Sequence, residues 1–137
     1  MDGKELVRRI FDEIVNEGRV EAADELMAED FVDHGPLGDV QGREAFKATI
    51  TAWLSAVPDV HCEVENFFQE GDLAGWNVRT TGTHTGDGLG FPATGKAFET
   101  LSANIGRMHD GQAVEHWSEQ GLFAMMAQIG MLPPMGG

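Results

Sequence analysis

Pro58-Asp59-Val60-His61-Cys62-Glu63-Val64-Glu65 is where the hydrophobic period of this chain changes, from about 3.6 residues to about two. Val60, Cys62 and Val64 alternate with His61, Glu63 and Glu65, and Phe68 extends the apolar row. Pro58 closes the helical pattern that precedes it. Helices before this point and strands after it make an α+β order, not an alternating α/β one.

Downstream, Glu70-Gly71-Asp72 is a hairpin turn, and the next strand carries Trp76 and Val78 on one face with Thr80 and His84 at the same parity. The glycine-rich stretch Gly86-Asp87-Gly88-Leu89-Gly90-Phe91-Pro92 connects to a long strand from about Ala97 to His109. Asp110-Gly111 turns into a last strand, Ala113 to about Glu119. A short helix over Leu122 to Ile129 follows, and the Gly- and Pro-rich tail after Gly130 is expected to be loosely ordered.

Upstream, Asp2 caps a helix whose apolar stripe is Leu6, Val7, Ile10, Phe11, Ile14 and Val15, and Gly18 stops it. A second short helix runs from about Val20 to Met27, and Asp30 to Pro36 reads as a short strand entering a turn. The third helix starts near Gly42 and presents Phe46, Ile50, Trp53 and Leu54. Burying these faces calls for a curved antiparallel sheet wrapped by the N-terminal helices, a cone whose hollow end admits a ligand.

At 137 residues the chain is one domain, residues 1–137, with one core. Its formal net charge of -14 repels phosphate backbones and anionic lipid, so neither nucleic acid nor a membrane is an expected partner. Cys62 is the only cysteine, which excludes an internal disulfide and suits a reducing compartment. The N-terminus, Met1-Asp2-Gly3-Lys4-Glu5, lacks the basic and apolar regions of a signal peptide, and the protein is read as cytoplasmic.

Gly90-Phe91-Pro92-Ala93-Thr94-Gly95-Lys96-Ala97 nearly matches a phosphate-binding loop. Ala97 stands where the magnesium-binding hydroxyl belongs, and a strand follows instead of a helix. His109 and His116 flank a hairpin, but without the tight spacing of a zinc motif. Neither a nucleotide nor a metal is therefore expected. Cys62, on an apolar strand face, reads as a small buried hydrophobe.

Two residues stand out for acid–base work. His84 shares strand parity with Trp76, which makes it either a residue of the concave side, where an imidazole can pass protons near neutral pH, or a histidine hydrogen-bonded at a strand end within Gly82-Thr83-His84-Thr85-Gly86. Glu119 shares a face with Glu115, Trp117 and Ala113, a setting that would leave its carboxylate poorly solvated, unless the strand ends at the rim and leaves it in water. Arg107, on the neighbouring strand, is placed to pair with either glutamate.

Phe31-Val32-Asp33-His34-Gly35-Pro36, Gly42-Arg43-Glu44-Ala45-Phe46-Lys47, Ala56-Val57-Pro58-Asp59-Val60, Gly82-Thr83-His84-Thr85-Gly86, Ala93-Thr94-Gly95-Lys96 and Asp110-Gly111-Gln112-Ala113-Val114-Glu115-His116-Trp117 occur in that order. As an ordered set this resembles the SnoaL-like polyketide cyclase (ester cyclase) family of the nuclear-transport-factor-two-like superfamily. The resemblance implies a cone-shaped α+β barrel, a homo-oligomer (dimer or tetramer), and a cofactor-free intramolecular aldol cyclisation of a small apolar carbonyl compound. It also implies an aspartate as general acid-base four residues after the tryptophan of Glu115-His116-Trp117, where this chain has Gly121. Glu119 or His84 is expected to take that role. Candidate substrate contacts are His34, Trp53, Trp76, Arg107, His116, Trp117 and Gly121. The alternative is a non-catalytic domain of the same fold that holds a small apolar ligand.

Overall fold

The computed structural model describes residues 1–132. The tail expected to be loosely ordered lies largely outside them. Helix α1 spans Gly3–Arg9, with the Asp2 carboxylate accepting the Glu5 backbone N–H at 2.8 Å, as the capping pattern predicts. The apolar stripe continues past Arg9, but as a π-helical stretch, Ile10–Asn16, in which the Glu17 N–H bonds back to the Asp12 carbonyl. Gly18, at φ +71°, ends it. The expected second helix is broken into a 3-10 turn, Val20–Ala22, and α2, Ala23–Leu26.

Strand β1, Met27–Gly35, begins earlier than the sequence pattern suggested, and pairs with a short β2, Gly38–Gln41, that polarity had hidden. Helix α3 is Arg43–Ala56. The remaining strands are β3, His61–Glu70, β4, Leu73–Thr83, β5, Ala97–His109, and β6, Gln112–Glu119, before α4, Leu122–Gln128.

All six strands form one sheet in the order β2-β1-β6-β5-β4-β3. The sheet is mixed rather than antiparallel, because β1 lies parallel to β6, with Asp33 beside His116 and His34 beside Trp117. A parallel partner for β1 needs the long excursion through α3 and β3 to β5, and no sequence period reveals that return. Asn16 closes the free edge of β3, accepting from the Cys62 N–H at 2.7 Å and donating to its carbonyl at 2.8 Å. That side chain stands in for an absent neighbouring strand.

Three apolar clusters hold the helices to the concave side of the sheet. Leu6, Ile14, Leu26 and Phe31 join Phe46, whose ring meets that of Phe31 edge-on at 5.2 Å. Val7, Cys62, Trp76 and Val78 form the second, and Ala56, Val57, Phe98, Met125 and Ile129 the third. Full burial of a side chain such as Phe31 contributes about 1.5–3 kcal/mol. The connection between β4 and β5 lies against the end of α3: a Cβ on Gly88, at φ +137°, would fall 2.3 Å from the Ala52 carbonyl oxygen. The stretch resembling a phosphate-binding loop is this irregular connection, and it opens no helix. Among the described residues, no helix is long and apolar enough to cross a membrane.

Candidate functional site

Members of all three clusters, among them Leu6, Phe31, Val7, Val78, Phe98 and Met125, also line a cavity of about 200 Å³ on the concave side. Its apolar roof comes from α1, the π-helical stretch and α3, with Phe11, Ile50 and Trp53 facing in. The floor is different. Along β5 the inward row reads Phe98, Thr100, Ser102, Asn104 and Gly106, and all but the first and last are polar. Because β6 pairs with Gly106 opposite His116, the imidazole of His116 joins that row. The parallel register then sets Asp33 of β1 beside it.

These side chains form one connected chain. His116 Nδ1 lies 2.7 Å from Asp33 Oδ1, and His116 Nε2 lies 2.9 Å from Asn104 Oδ1. Asn104 Nδ2 donates to Ser102 Oγ at 3.1 Å, and Ser102 Oγ donates to the Val78 carbonyl at 3.3 Å. Each donor finds an acceptor when His116 donates from both ring nitrogens. Asp33 is only 6% exposed, and the bond from His116 engages its Oδ1, leaving Oδ2 uncommitted among the described side chains. Trp76 lies over His116 with ring centroids 5.8 Å apart and planes 19° from parallel. A buried carboxylate, held by an imidazole in an apolar hollow, can receive a proton from a bound ligand.

The two acid–base residues expected from sequence do not reach this cavity. Glu119 is exposed, and its Oε1 accepts the Gly121 N–H at 3.0 Å, ahead of α4. Glu115, Trp117 and Glu119 do share a strand face, but only Glu115 borders the cavity; Trp117 and Glu119 are turned from it, and the register of β6 brings His116 inward. His84 is fully buried yet lies off the cavity wall. Val57 and the Phe98 ring crowd over Gly82, where a Cβ would sit 2.4 Å from Val57, and His84 lies past this plug. Its Nδ1 accepts from the Thr94 N–H at 3.1 Å, and Phe91 meets its ring edge-on.

Of the expected substrate contacts, Trp53, Trp76 and His116 line the cavity. Arg107 borders it, but its guanidinium turns away to Asp72 at 2.8 Å and Glu115 at 3.6 Å, and lies 5.9 Å over the Trp117 ring. His34 is outside, stacked on Trp117 at 5.3 Å and held by Asp39 and Glu115, both at 2.7 Å. Those carboxylates, Glu115 first, raise its pKa above the ordinary histidine value. Gly121 caps α4 at φ +66°; a Cβ there would lie 2.9 Å from the Cβ of Thr100, on the cavity wall. Cys62 also lines the cavity, and burial pushes its thiol pKa up.

Asp33 was not singled out by sequence reasoning. Its signal was parity with Phe31 across a strand whose partner was unknown. Among the described residues, no three His, Cys, Asp or Glu side chains are grouped to hold a metal ion.

Comparison with known proteins bears on this geometry. The family model described as SnoaL-like polyketide cyclase matches residues 5–129. An aklanonic acid methyl ester cyclase from Streptomyces sp. (strain C5) is 29% identical over 117 residues, covering 82% of this chain and 71% of that one. The crystal structure of IdmH from Streptomyces antibioticus, assigned as a polyketide cyclase, superposes with a TM-score of 0.82 at 30% identity, over 95% of this chain and 99% of that one. A SnoaL-like protein from Jannaschia sp. CCS1 gives 0.85 at 29% identity, over 96% and 92%.

Proposed function

The chain belongs to the SnoaL-like polyketide cyclase family, and on that premise we propose that its cavity carries out cofactor-free acid–base chemistry on a small apolar carbonyl compound, with Asp33 as the base. The Asp33–His116 pair inside an apolar cavity is the observation that carries this reading. Intramolecular aldol closure asks little of a protein. A base removes a proton already acidified by a carbonyl group, an acid meets the developing alkoxide, and the walls fold the substrate so that its ends meet. Asp33 supplies the base. His116 holds that carboxylate in place through a 2.7 Å contact, and the apolar roof shapes the hydrocarbon part of the ligand.

Gly121 contributes no proton, so a base on β1 replaces the carboxylate that the family resemblance places before α4. The substrate named for the Streptomyces relative, aklanonic acid methyl ester, is the first compound to test. The wild-type protein is expected to cyclise it or a shorter polyketide ester without added cofactor. Asp33→Asn, which keeps shape and hydrogen bonding, should lower kcat by about a hundredfold or more. Full activity in a folded Asp33→Asn protein would remove Asp33 from the mechanism. A wild-type protein that binds such esters and neither cyclises them nor exchanges their acidic protons is a binding domain.

A further inference from the structure

Most hydroxyl and amide side chains on the cavity wall are already bonded within the protein. Thr49 donates to the Ala45 carbonyl at 3.0 Å, and the Thr80 hydroxyl lies 3.4 Å from Cys62 Sγ. Ser102 and Asn104 belong to the chain that ends on His116 and Asp33. Two others on the wall, Gln120 and Thr100, have no side-chain hydrogen bond among the described residues. Gln120 is half-buried where β6 runs toward α4, and water can serve its amide. Thr100 is only 6% exposed. Its hydroxyl is thus withdrawn from bulk water without a partner in the fold, an arrangement that buried polar groups rarely show.

The surroundings of Thr100 account for this. Thr80, directly across on β4, has its hydroxyl against Cys62 instead. On the other side β6 has already ended at Glu119, and the chain passes Thr100 as Gly121. A Cβ on Gly121 would stand 2.9 Å from the Thr100 Cβ and 3.4 Å from its Oγ1, so glycine keeps that flank clear. Buried side-chain atoms sealed off without a partner occur on Arg43, Trp76, His84 and Ser118. The Thr100 oxygen is not one of them, and the space left open to it is the cavity that Thr100 lines. Its end of the wall is otherwise apolar, with Phe98 before it on the inward row and Leu122 and Met125 of α4 beyond Gly121. Valine has the shape of threonine and would suit such a wall better. The hydroxyl makes sense as a contact to a ligand.

We propose that the Thr100 hydroxyl hydrogen-bonds a second oxygen of the ligand, at the opposite end of the cavity from Asp33 and His116, and so selects compounds with an oxygen function at each end. Thr100 lies four residues along β5 from Asn104, the residue that bonds His116. At roughly 3.3 Å per residue that separation is about 13 Å. Allowing about 3 Å of contact at either end leaves about 7 Å between the two stations, the span of a fused bicyclic frame. A hydroxyl can donate to a carbonyl or ether oxygen and accept from another hydroxyl, so either kind of oxygen fits. This rests on the reading of Asp33 as base and extends it: the Asp33 end reacts, and the Thr100 end fixes which carbon of the ligand is presented to it.

The test uses 6-hydroxy-2-tetralone and 6-methyl-2-tetralone, which share a ketone and a bicyclic frame and differ by hydroxyl against methyl at the far end. Wild-type protein should bind the hydroxy compound about tenfold tighter, the gain from one hydrogen bond to an otherwise unpaired buried group. Thr100→Val keeps the shape of the side chain and removes the hydroxyl. It should bind the methyl compound within about twofold of wild type, lose the preference for the hydroxy compound, and unfold in urea no earlier than wild type. Thr100→Ser keeps a hydroxyl and should retain the preference. A wild-type protein that binds neither compound or does not prefer the hydroxy one overturns the proposal. So does a Thr100→Val protein that keeps the preference, or one that unfolds earlier, since the hydroxyl would then serve the fold itself. Asp33→Asn separates the two readings. It should retain the preference while losing catalysed deuterium exchange at the carbon between the ketone and the aromatic ring, so unchanged exchange would sink the base assignment alone.

Discussion

Gly121 shows how much one residue decides. At φ +66° it occupies backbone space that side chains rarely adopt, and the Cβ it lacks would press on Thr100 at 2.9 Å. The chain thus enters α4 more tightly than a side chain at residue 121 allows, and restoring a carboxylate there is not a matter of adding a functional group. Gly121→Asp is expected to destabilise the fold by about 1–3 kcal/mol, measured by urea unfolding. Glu119, by contrast, is exposed and holds only the Gly121 N–H. Glu119→Gln keeps an oxygen that can accept that bond, so turnover should stay within about twofold of wild type. A hundredfold loss in Glu119→Gln would mean that the acid–base group is on the convex face after all. Sequence parity correctly grouped Glu115, Trp117 and Glu119, but parity states which residues share a face and not which face is inside. Tryptophan was the natural marker of the interior, and in β6 it marks the exterior.

Elements meet in a charged seam on that exterior. His34 of β1 bridges Asp39 of β2 and Glu115 of β6, while Arg107 of β5 links Glu115 to Asp72 in the β3–β4 turn. Asp39 and Glu115, with Arg107 beyond Glu115, are the charged groups gathered around the imidazole, and the two carboxylates outweigh the cation. They raise the His34 pKa above 6.5, with the hydrogen bond to Glu115 the largest cause. The sign follows from linkage. A folded-state value above the unfolded one means that the protonated imidazole is favoured by folding, so its contribution is fully present below about pH 6.5 and fades as pH rises through the raised value. Wild type should therefore exceed His34→Gln in stability by more at pH 6 than at pH 9, measured by urea midpoints at each pH. An equal gap at both would show that folding does not raise the His34 pKa. Of this seam only the pairing of Arg107 with Glu115 was legible beforehand. Hairpins announce themselves by Asp110-Gly111 or Glu70-Gly71-Asp72 because turn chemistry is local, whereas the parallel pairing that brings His34 and Asp33 to β6 spans more than eighty residues.

For the molecule as a whole, β5 reverses the usual arrangement of a half-buried strand. Its inward row holds Thr100, Ser102 and Asn104, each under 8% exposed, while its outward row holds Leu101 and Ile105, each close to half exposed. The inward polarity belongs to the cavity. Among the described residues nothing buries Leu101 or Ile105, and Trp117 of β6 extends the stripe, paired directly with Ile105. An apolar stripe on the open face of a sheet can receive another protein, and the family resemblance implies a second copy of this chain as that partner. A homodimer packed through this face is expected, with a light-scattering mass near twice 14.9 kDa at micromolar concentration. Each chain brings a net charge of -14, so the two copies repel as they approach. Raising salt from about 20 to about 300 mM shortens the Debye length from about 20 Å to below 10 Å and should tighten the dimer. The double variant Leu101→Lys with Ile105→Lys places like charges across the stripe without touching the cavity row, and should leave a folded monomer with the cavity intact. A wild-type mass near 14.9 kDa in high salt removes the dimer. A double variant that remains dimeric moves the interface elsewhere on the surface.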